Sequence, residues 1–238
     1  MNNIAIIIPT YNELENIENL ILKILINVPK SSIFIVDDSK TQEIGELIRN
    51  NNLKAKYFYR TKESGRGSAV IYGLKKALEE NKYETFIEMD ADFSHNPKEL
   101  PGNIDLFLKK KLDLLIASRY LKESKIINWS LSRRILSKLS NILARNLLNI
   151  PLKDFTNGFR IYSQQAVKKI VSSCGNIGDG FIILSEIIVV IKNNTLNIGE
   201  VKTVFANRER GKSSVNLKLI AASLYGIIKL TMIKKKLK

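Results

Sequence analysis

The first 120 residues of this 238-residue chain alternate short apolar runs with segments of helical spacing, and no other feature constrains the fold as strongly. The apolar runs cover residues 4–8, 33–36, 55–59, 85–89 and 113–118. The segments between them place apolar residues three or four positions apart, which is the period of one helix face. Strands that alternate with helices form a mostly parallel sheet with helices on both faces. The sequence therefore predicts an α/β fold.

The alternation lapses after residue 120, where the predicted elements change in kind. The pattern predicts a long helix over 129–149, a returning strand in NGFRIYS, a largely buried helix over 181–192, an edge strand over 196–205 and a final helix over 215–236. No internal repeat or Gly/Ser-rich linker interrupts the chain. We therefore expect a single domain over residues 1–238.

Polar segments follow four of the predicted strands at the point where each strand ends. They read PTYNE after the first strand, DDS after the second, DAD after the fourth and SRY after the fifth. Sheets of this kind bind ligands beyond the carboxyl ends of their strands. We therefore expect all four segments to face one crevice.

Asp90 and Asp92 end the fourth strand and suggest a cation site. Buried carboxylates are costly unless a cation, hydrogen-bond donors or water satisfies them. A pair of oxygen ligands with open positions suits Mg²⁺ or Mn²⁺, whose other ligands are water and substrate phosphates. The alternative is that one aspartate only begins the turn before Asn96 and Pro97. His95 lies in that turn, and we expect it to cap the turn.

The segments after the first three strands offer groups for a nucleotide. Tyr11 presents a ring face for a base, while Glu13 and Asp38 can accept hydrogen bonds from a base or ribose. An ordinary strand-to-helix turn, with Asn12 as the helix cap, explains the first of these segments equally well. GRGSA opens a helix whose backbone N–H groups suit phosphate, but it lacks the full dinucleotide-binding fingerprint.

The formal net charge of +15 predicts an anionic partner: nucleic acid, a phosphorylated small molecule or an anionic membrane surface. Arginines at strand ends and in the late loop NRERGKSS suit phosphate, which guanidinium binds through paired hydrogen bonds. Nucleic-acid binding needs a recognition helix or exposed aromatic residues among the basic ones. The aromatic residues here lie mostly in apolar, strand-like contexts, which disfavours nucleic acid as the partner.

Cysteine content and hydropathy limit the cellular setting. Cys174 is the single cysteine, which excludes an intramolecular disulfide and a cysteine-based zinc site and fits a reducing cytosol. No stretch approaches about 18 uncharged apolar residues, the length of a membrane span. We therefore expect a cytoplasmic location, peripheral on the cytoplasmic face of a membrane.

Taken together, these motifs resemble glycosyltransferase family 2, and within it the dolichyl-phosphate and other polyprenyl-phosphate mannose synthases. The motifs that carry the resemblance are IIPTYNE, VDDS, MDADFSHNP, ASRY, NWSLSRRILSKLSNILAR, DFTNGFRIY and NRERGKSS. The chain departs from the family after DD, where SKTQE is short and lacks a glycine, and in the late loop, where GKSS replaces Gly-Glu-Ser-Lys. The resemblance implies a GT-A fold and an inverting transfer of a sugar from a nucleotide donor to a lipid phosphate.

The resemblance also implies roles for individual residues. The donor nucleoside would contact four residues of the first two polar segments: Pro9, Tyr11, Glu13 and Asp38. The divalent cation on the donor pyrophosphate would bind Asp90 and Asp92, with Ser94 as a further ligand. The acceptor phosphate and the departing charge would contact Arg119, Arg133 and Arg208, which with Asp92 would form the catalytic set.

The resemblance implies transfer of mannose from GDP-mannose to a polyprenyl monophosphate. Residues 1–120 would bind the nucleotide sugar and residues 121–214 the acceptor. The basic helix over 215–238 would either rest on an anionic membrane surface or dock on the sheet with a solvated basic tail. Since the sequence shows no membrane span, a membrane-anchored partner protein is a further expected partner. The alternatives are a UDP-sugar donor, a saccharide acceptor in surface polysaccharide synthesis, an inactive scaffold of this fold and, from another class, a basic nucleic-acid-binding protein.

Overall fold

The structure is a computed structural model that describes residues 3–62, 65–175, 177–178, 182–207, 217–234 and 237. In chain order its strands are β1 (Ile4–Thr10), β2 (Ser32–Asp37), β3 (Ala55–Tyr59), β4 (Thr85–Glu88), β5 (Leu114–Ser118), β6 (Lys125–Ile127), β7 (Arg160–Ser163), β8 (Ile198–Lys202) and β9 (Val204–Ala206). Its helices are α1 (Leu14–Asn27), α2 (Glu43–Asn50), α3 (Arg66–Glu79), α4 (Leu100–Lys109), α5 (Leu131–Leu148), α6 (Gln164–Ser173), α7 (Ile182–Asn193) and α8 (Leu217–Ile233).

Seven of these strands form one sheet in the order β3-β2-β1-β4-β7-β5-β8. β7 runs antiparallel to both β4 and β5, and the other pairs in the sheet are parallel. The predicted α/β fold with a mostly parallel sheet is therefore confirmed. The strand predicted in NGFRIYS is β7, which lies between β4 and β5 in the sheet.

Helices cover both faces of the sheet because β1 is apolar on both sides. Ile4, Ile6 and Ile8 pack into one core cluster with α1, α2 and α4. Ala5 and Ile7 point to the opposite face and pack with α3, α6 and α7. Successive strand residues point to opposite faces, so a continuous apolar run produces two cores.

The edge strand predicted over residues 196–205 is wrong in one respect, because the chain leaves the main sheet at Thr203. Residues before it pair with β5, whereas β9 pairs with β6 in a separate two-stranded sheet. The Thr203 hydroxyl is buried and donates to Glu99, and the Thr203 N–H donates to Ser124 Oγ. These hydrogen bonds hold the chain at the point where it changes sheets.

Two elements were not predicted. β6 has three residues, too few for a periodic signal, and its pairing with β9 is long-range. α6 does show helical spacing, since Ala166, Val167 and Ile170 are buried, and Ser163 caps its first turn by accepting the Ala166 N–H. Within the described residues, no helix has the length and apolarity needed to cross a bilayer.

Candidate active site

The carboxyl ends of β1, β2, β4 and β5 lie along one edge of the sheet. β1 is parallel to β2 and β4, and β4 and β5 share a direction because each is antiparallel to β7. The four polar segments that follow these strands therefore lie at the same edge, as the sequence predicted.

Three acidic residues at alternate positions, Glu88, Asp90 and Asp92, form the acidic end of the site. Glu88 is fully buried, and its two oxygens accept from Tyr162 Oη at 2.6 Å and from Arg66 Nη1 at 2.7 Å. Arg66 also donates from Nε to Asp90 Oδ1 at 2.8 Å. Burial disfavours the charge of Arg66, but Asp90 and then Glu88 outweigh it, so the pKa of Arg66 is raised. This guanidinium is therefore a permanent cation between two carboxylates.

His95 holds the turn after the acidic residues. The Asp90 N–H donates to His95 Nδ1 at 3.0 Å, so the ring proton lies on Nε2 and is donated to Asn157 Oδ1, also at 3.0 Å. The ring stacks on Phe159 with centroids 5.2 Å apart. His95 therefore caps the turn, as expected, and both of its nitrogens are used in doing so.

Oxygen atoms at the acidic end suit a divalent cation. Asp92 is 4% exposed, and its Oδ1 accepts the Ser94 N–H at 3.1 Å. The Ser94 hydroxyl is buried and makes no hydrogen bond to the described residues. Hard oxygen ligands of this kind fit Mg²⁺ or Mn²⁺. In the described part of the chain, no group of three or more His, Cys, Asp or Glu could hold a metal, so such a cation also needs ligands from Ser94, water or a donor phosphate.

The loop after β2 is fixed by two aspartates with different partners. Asp37 is buried and accepts from Thr10 Oγ1 and Tyr57 Oη at 3.0 and 2.9 Å. Asp38 accepts from Arg60 Nε and Nη2, both at 2.7 Å, and from the Gly65 N–H at 2.9 Å. Asp38 therefore links the loop after β2 to the start of α3.

The other predicted nucleoside contacts differ in accessibility. Tyr11 is 56% exposed in the loop after β1, so its ring is open to solvent. Glu13 is partly buried and accepts from Asn16 Nδ2 at 2.7 Å. Pro9 lies inside β1, paired with Val36, and is buried. Its place in the strand gives it a role in setting where the Tyr11 loop begins.

Arg119 begins the basic end of the site and is held by a buried carboxylate. Its Nε and Nη2 donate to the two oxygens of Asp154, each at 2.8 Å, and Nη2 also donates to Thr156 Oγ1 at 2.6 Å. Burial disfavours both charges, but their mutual attraction outweighs it. As a result, the pKa of Arg119 is raised and the pKa of Asp154 is lowered.

An aromatic bridge of His95, Phe205 and Trp129 connects the acidic and basic ends. Phe205 packs edge-on against His95 at 5.5 Å and against Trp129 at 5.3 Å between ring centroids. The guanidinium groups of Arg119 and Arg133 lie over the Trp129 ring, 5.5 and 4.0 Å from its centroid. Arg208, the third predicted arginine, lies outside the described residues.

The family is decided by a comparison that covers most of the chain. The model of glycosyl transferase family 2 matches residues 5–171. The chain belongs to glycosyl transferase family 2. It is accordingly a glycosyltransferase, and the matched residues include the whole acidic end of the site and both described arginines of the basic end.

Curated relatives of this family 2 chain resemble it over nearly its full length. A polyprenol monophosphomannose synthase of Mycolicibacterium smegmatis is 31% identical over 226 residues, which are 93% of this chain and 84% of the relative. An undecaprenyl-phosphate mannosyltransferase of Micrococcus luteus is 30% identical over 227 residues, 93% of this chain and 90% of the relative. A dolichol-phosphate mannosyltransferase of Pyrococcus furiosus is 34% identical over 235 residues, 95% of this chain but 63% of the relative.

Solved structures agree on the fold of this family 2 enzyme. Glucosyl-3-phosphoglycerate synthase of Mycobacterium tuberculosis, solved with Mn²⁺, UDP and glucosyl-3-phosphoglycerate, superposes with a TM-score of 0.67. The superposition covers 98% of this chain and 80% of that one at 16% identity. The predicted GT-A fold is thereby confirmed.

Three side chains of the family 2 site were not predicted from the sequence: Arg66, Glu88 and Asp154. Glu88 carried a usable signal, because alternate residues of an extended chain share a face and Glu88, Asp90 and Asp92 alternate. Arg66 lies in GRGSA, a segment predicted to contact phosphate through its backbone N–H groups alone. Asp154 showed no local signal, since its partner lies 35 residues earlier in the chain.

Proposed function

We propose that this enzyme transfers mannose from GDP-mannose to a polyprenyl monophosphate with inversion at the anomeric carbon. The observation that carries the proposal is the aromatic bridge, which holds an oxygen-rich acidic end and two arginines within one site. In this proposal the acidic end receives a cation-bound diphosphate and the basic end receives a second phosphate. The names of the Mycolicibacterium and Micrococcus relatives support a polyprenyl-phosphate acceptor and mannose as the sugar.

The residues at each end have distinct tasks in this proposal. Asp90, Asp92 and Ser94 hold a divalent cation, which when bound neutralises the donor diphosphate. Tyr11, with Glu13 and Asp38, holds the nucleoside, and Pro9, near the end of β1, helps to set where the Tyr11 loop begins. The basic residues hold the acceptor phosphate and the departing charge, and they are Arg119, Arg133 and Arg208.

The chemistry needs positioning more than proton transfer. An oxygen of the lipid phosphate attacks the anomeric carbon as the bond from that carbon to the diphosphate oxygen breaks. A phosphate monoester is already ionised near neutral pH, so a strong general base is not required. His95 is not needed as a general base in this scheme, because both of its ring nitrogens make the hydrogen bonds that hold a turn. Alignment and charge stabilisation therefore supply most of the rate enhancement.

A product assay tests the proposal. Purified protein is incubated with Mn²⁺, a short-chain polyprenyl phosphate and either GDP-mannose, GDP-glucose, UDP-glucose or UDP-N-acetylglucosamine. We expect mass spectrometry to detect a mannosylated lipid phosphate with GDP-mannose and at least about tenfold less product with the others, since specific polar contacts to base and sugar discriminate by this much or more. Product from a UDP-sugar alone would contradict the donor assignment, and transfer to a free saccharide alone would contradict the acceptor.

The acceptor is a membrane lipid, and one helix face suits a membrane surface. Leu131, Ile135 and Leu139 form a stripe along α5 and are 72%, 51% and 56% exposed. Exposed basic residues border the stripe, among them Arg134 and Lys138, and α5 contains no acidic residue. Tyr225, Ile228 and Met232 are also exposed on α8, which packs against α5. We propose that an anionic bilayer is the occupant of this face, because apolar insertion and basic residues act together there.

Replacing the stripe tests the membrane face. We expect the triple variant L131Q/I135Q/L139Q to lower the partition coefficient for vesicles rich in phosphatidylglycerol at least about tenfold, as the loss of apolar insertion predicts. Co-sedimentation measures this. The control L22Q/I26Q changes two exposed apolar residues of α1 and should bind as the wild type does. Unchanged vesicle binding of the triple variant would contradict the assignment. A wild-type dimer in light scattering that the triple variant abolishes would also contradict it, because a second copy of the chain would then cover the stripe.

A further inference from the structure

Arg66 occupies a position that the proposed chemistry does not use. It begins α3, directly after Gly65, and its guanidinium bridges two carboxylates of β4 and the following turn. Nη1 lies 2.7 Å from Glu88 Oε1, and Nε and Nη2 lie 2.8 and 2.7 Å from Asp90 Oδ1. A built-in monovalent cation therefore already contacts a carboxylate that the proposed function assigns to a divalent cation.

The two carboxylates differ in how firmly they are held. Glu88 is fully buried and also accepts from Tyr162 Oη, so its pairing with Arg66 is a fixed part of the core. The Asp90 side chain is 27% exposed and lies just after the end of β4, where the polar segments meet. Ligand charge can therefore reach the Arg66–Asp90 contact without disturbing the contact to Glu88.

We propose that Arg66 is an internal counter-ion that competes with the divalent cation for Asp90 and couples cation binding to donor binding. A divalent cation on Asp90 brings two positive charges near the guanidinium, which is unfavourable until a diphosphate arrives. The diphosphate compensates both cations, so metal and nucleotide each bind better in the presence of the other. This inference rests on the proposed function, because it takes Asp90 as a cation ligand.

The packing around Arg66 holds the guanidinium at this place. A Cβ atom built on Gly158, in the segment before β7, would overlap Arg66 Nη2 and lie 2.7 Å from Cζ. Glycine at this position lets the guanidinium lie against the backbone of the neighbouring strand segment. The variant G158A therefore offers a way to displace the guanidinium without removing its charge from the chain.

Mn²⁺ binding followed by electron paramagnetic resonance tests the inference without any turnover. The reference is E88Q, which keeps the Arg66–Asp90 contact but removes the buried charge that an Arg66 variant would leave unpaired. Without nucleotide, we expect R66M/E88Q to bind Mn²⁺ about tenfold more tightly than E88Q. Tenfold corresponds to about 1.4 kcal/mol, and the repulsion between a divalent cation and a guanidinium about 5 Å away is of this size even at the dielectric constant of water. R66K/E88Q keeps the charge and should stay within about threefold of E88Q.

The coupling to nucleotide gives a second readout. Adding GDP should tighten Mn²⁺ binding of E88Q by a larger factor than that of R66M/E88Q, and by linkage Mn²⁺ should tighten GDP binding by the same factor. G158A, compared with the wild type, should change both the Mn²⁺ affinity and the GDP effect in the same direction as R66M/E88Q changes them relative to E88Q. The exposed control R49M should match the wild type.

The outcomes separate this inference from the proposed function. Equal or weaker Mn²⁺ binding by R66M/E88Q than by E88Q, with an unchanged GDP effect, overturns the counter-ion role and leaves the metal site in place. Absence of Mn²⁺ binding by the wild type even with GDP overturns the metal-dependent function and this inference with it.

Discussion

Replacing Asp92 by Asn is expected to lower kcat/KM about a thousandfold, the upper range for removing one group that stabilises developing charge. Asp92 is nearly buried, and its Oδ1 accepts the Ser94 N–H. An asparagine oxygen can keep that hydrogen bond, so the turn should survive while the negative charge is lost. Without that charge, a divalent cation loses an anionic ligand and binds more weakly. The diphosphate is then less well neutralised as it departs.

Three measurements distinguish this loss from misfolding. Calorimetric titration should show that the affinity for GDP with Mn²⁺ falls at least about tenfold in D92N, as expected for the loss of a charged ligand, while the affinity for GDP without metal changes little. The melting temperature should stay close to that of the wild type. The control D105N, an exposed carboxylate on α4, should leave all these quantities unchanged. If D92N binds GDP and Mn²⁺ as the wild type does, Asp92 is not a metal ligand.

The sheet was predictable because its signals are local. Each strand of the first half is a continuous apolar run, and each following helix shows the three-to-four-residue period. β9 was merged with β8 because the residues on either side of Thr203 are equally strand-like in sequence. The division depends on long-range contacts, such as the hydrogen bonds from Thr203 to Glu99 and Ser124, which lie far away in the chain.

The site was predictable only where its residues follow one strand. Asp90 and Asp92 could be found because two carboxylates at the end of an apolar strand conflict with burial and need a partner. Arg66 pairs with Asp90 across 24 positions of the chain, and the pairing depends on how α3 packs against the sheet. Packing of that kind leaves no pattern in the sequence. The same reasoning applies to Arg119, which was predicted as a phosphate ligand without its buried partner.

Replacing Asp154 by Asn is expected to destabilise the fold by about 3–5 kcal/mol, the range for breaking one partner of a buried ion pair. Asp154 is fully buried and accepts from the Arg119 side chain and from the backbone N–H groups of Arg119, Thr156 and Asn157. An asparagine leaves the Arg119 guanidinium buried without an opposing charge. Urea denaturation should show the fall in the free energy of unfolding. Thermal unfolding should show a melting temperature lower by about 10 °C for a chain of this size.

A double variant separates the structural role of Arg119 from its proposed role at the acceptor phosphate. D154N/R119M removes both charges together and should recover much of the stability lost in D154N, because no buried charge is left unpaired. If Arg119 also binds the acceptor, the double variant should fold yet show a raised KM for the polyprenyl phosphate with unchanged affinity for GDP. The exposed pair of Lys76 and Glu79 on α3 supplies the control, and E79Q should change stability far less than D154N. A double variant that regains both stability and acceptor affinity would leave Arg119 with a structural role alone, and the acceptor phosphate would then depend on Arg133 and Arg208.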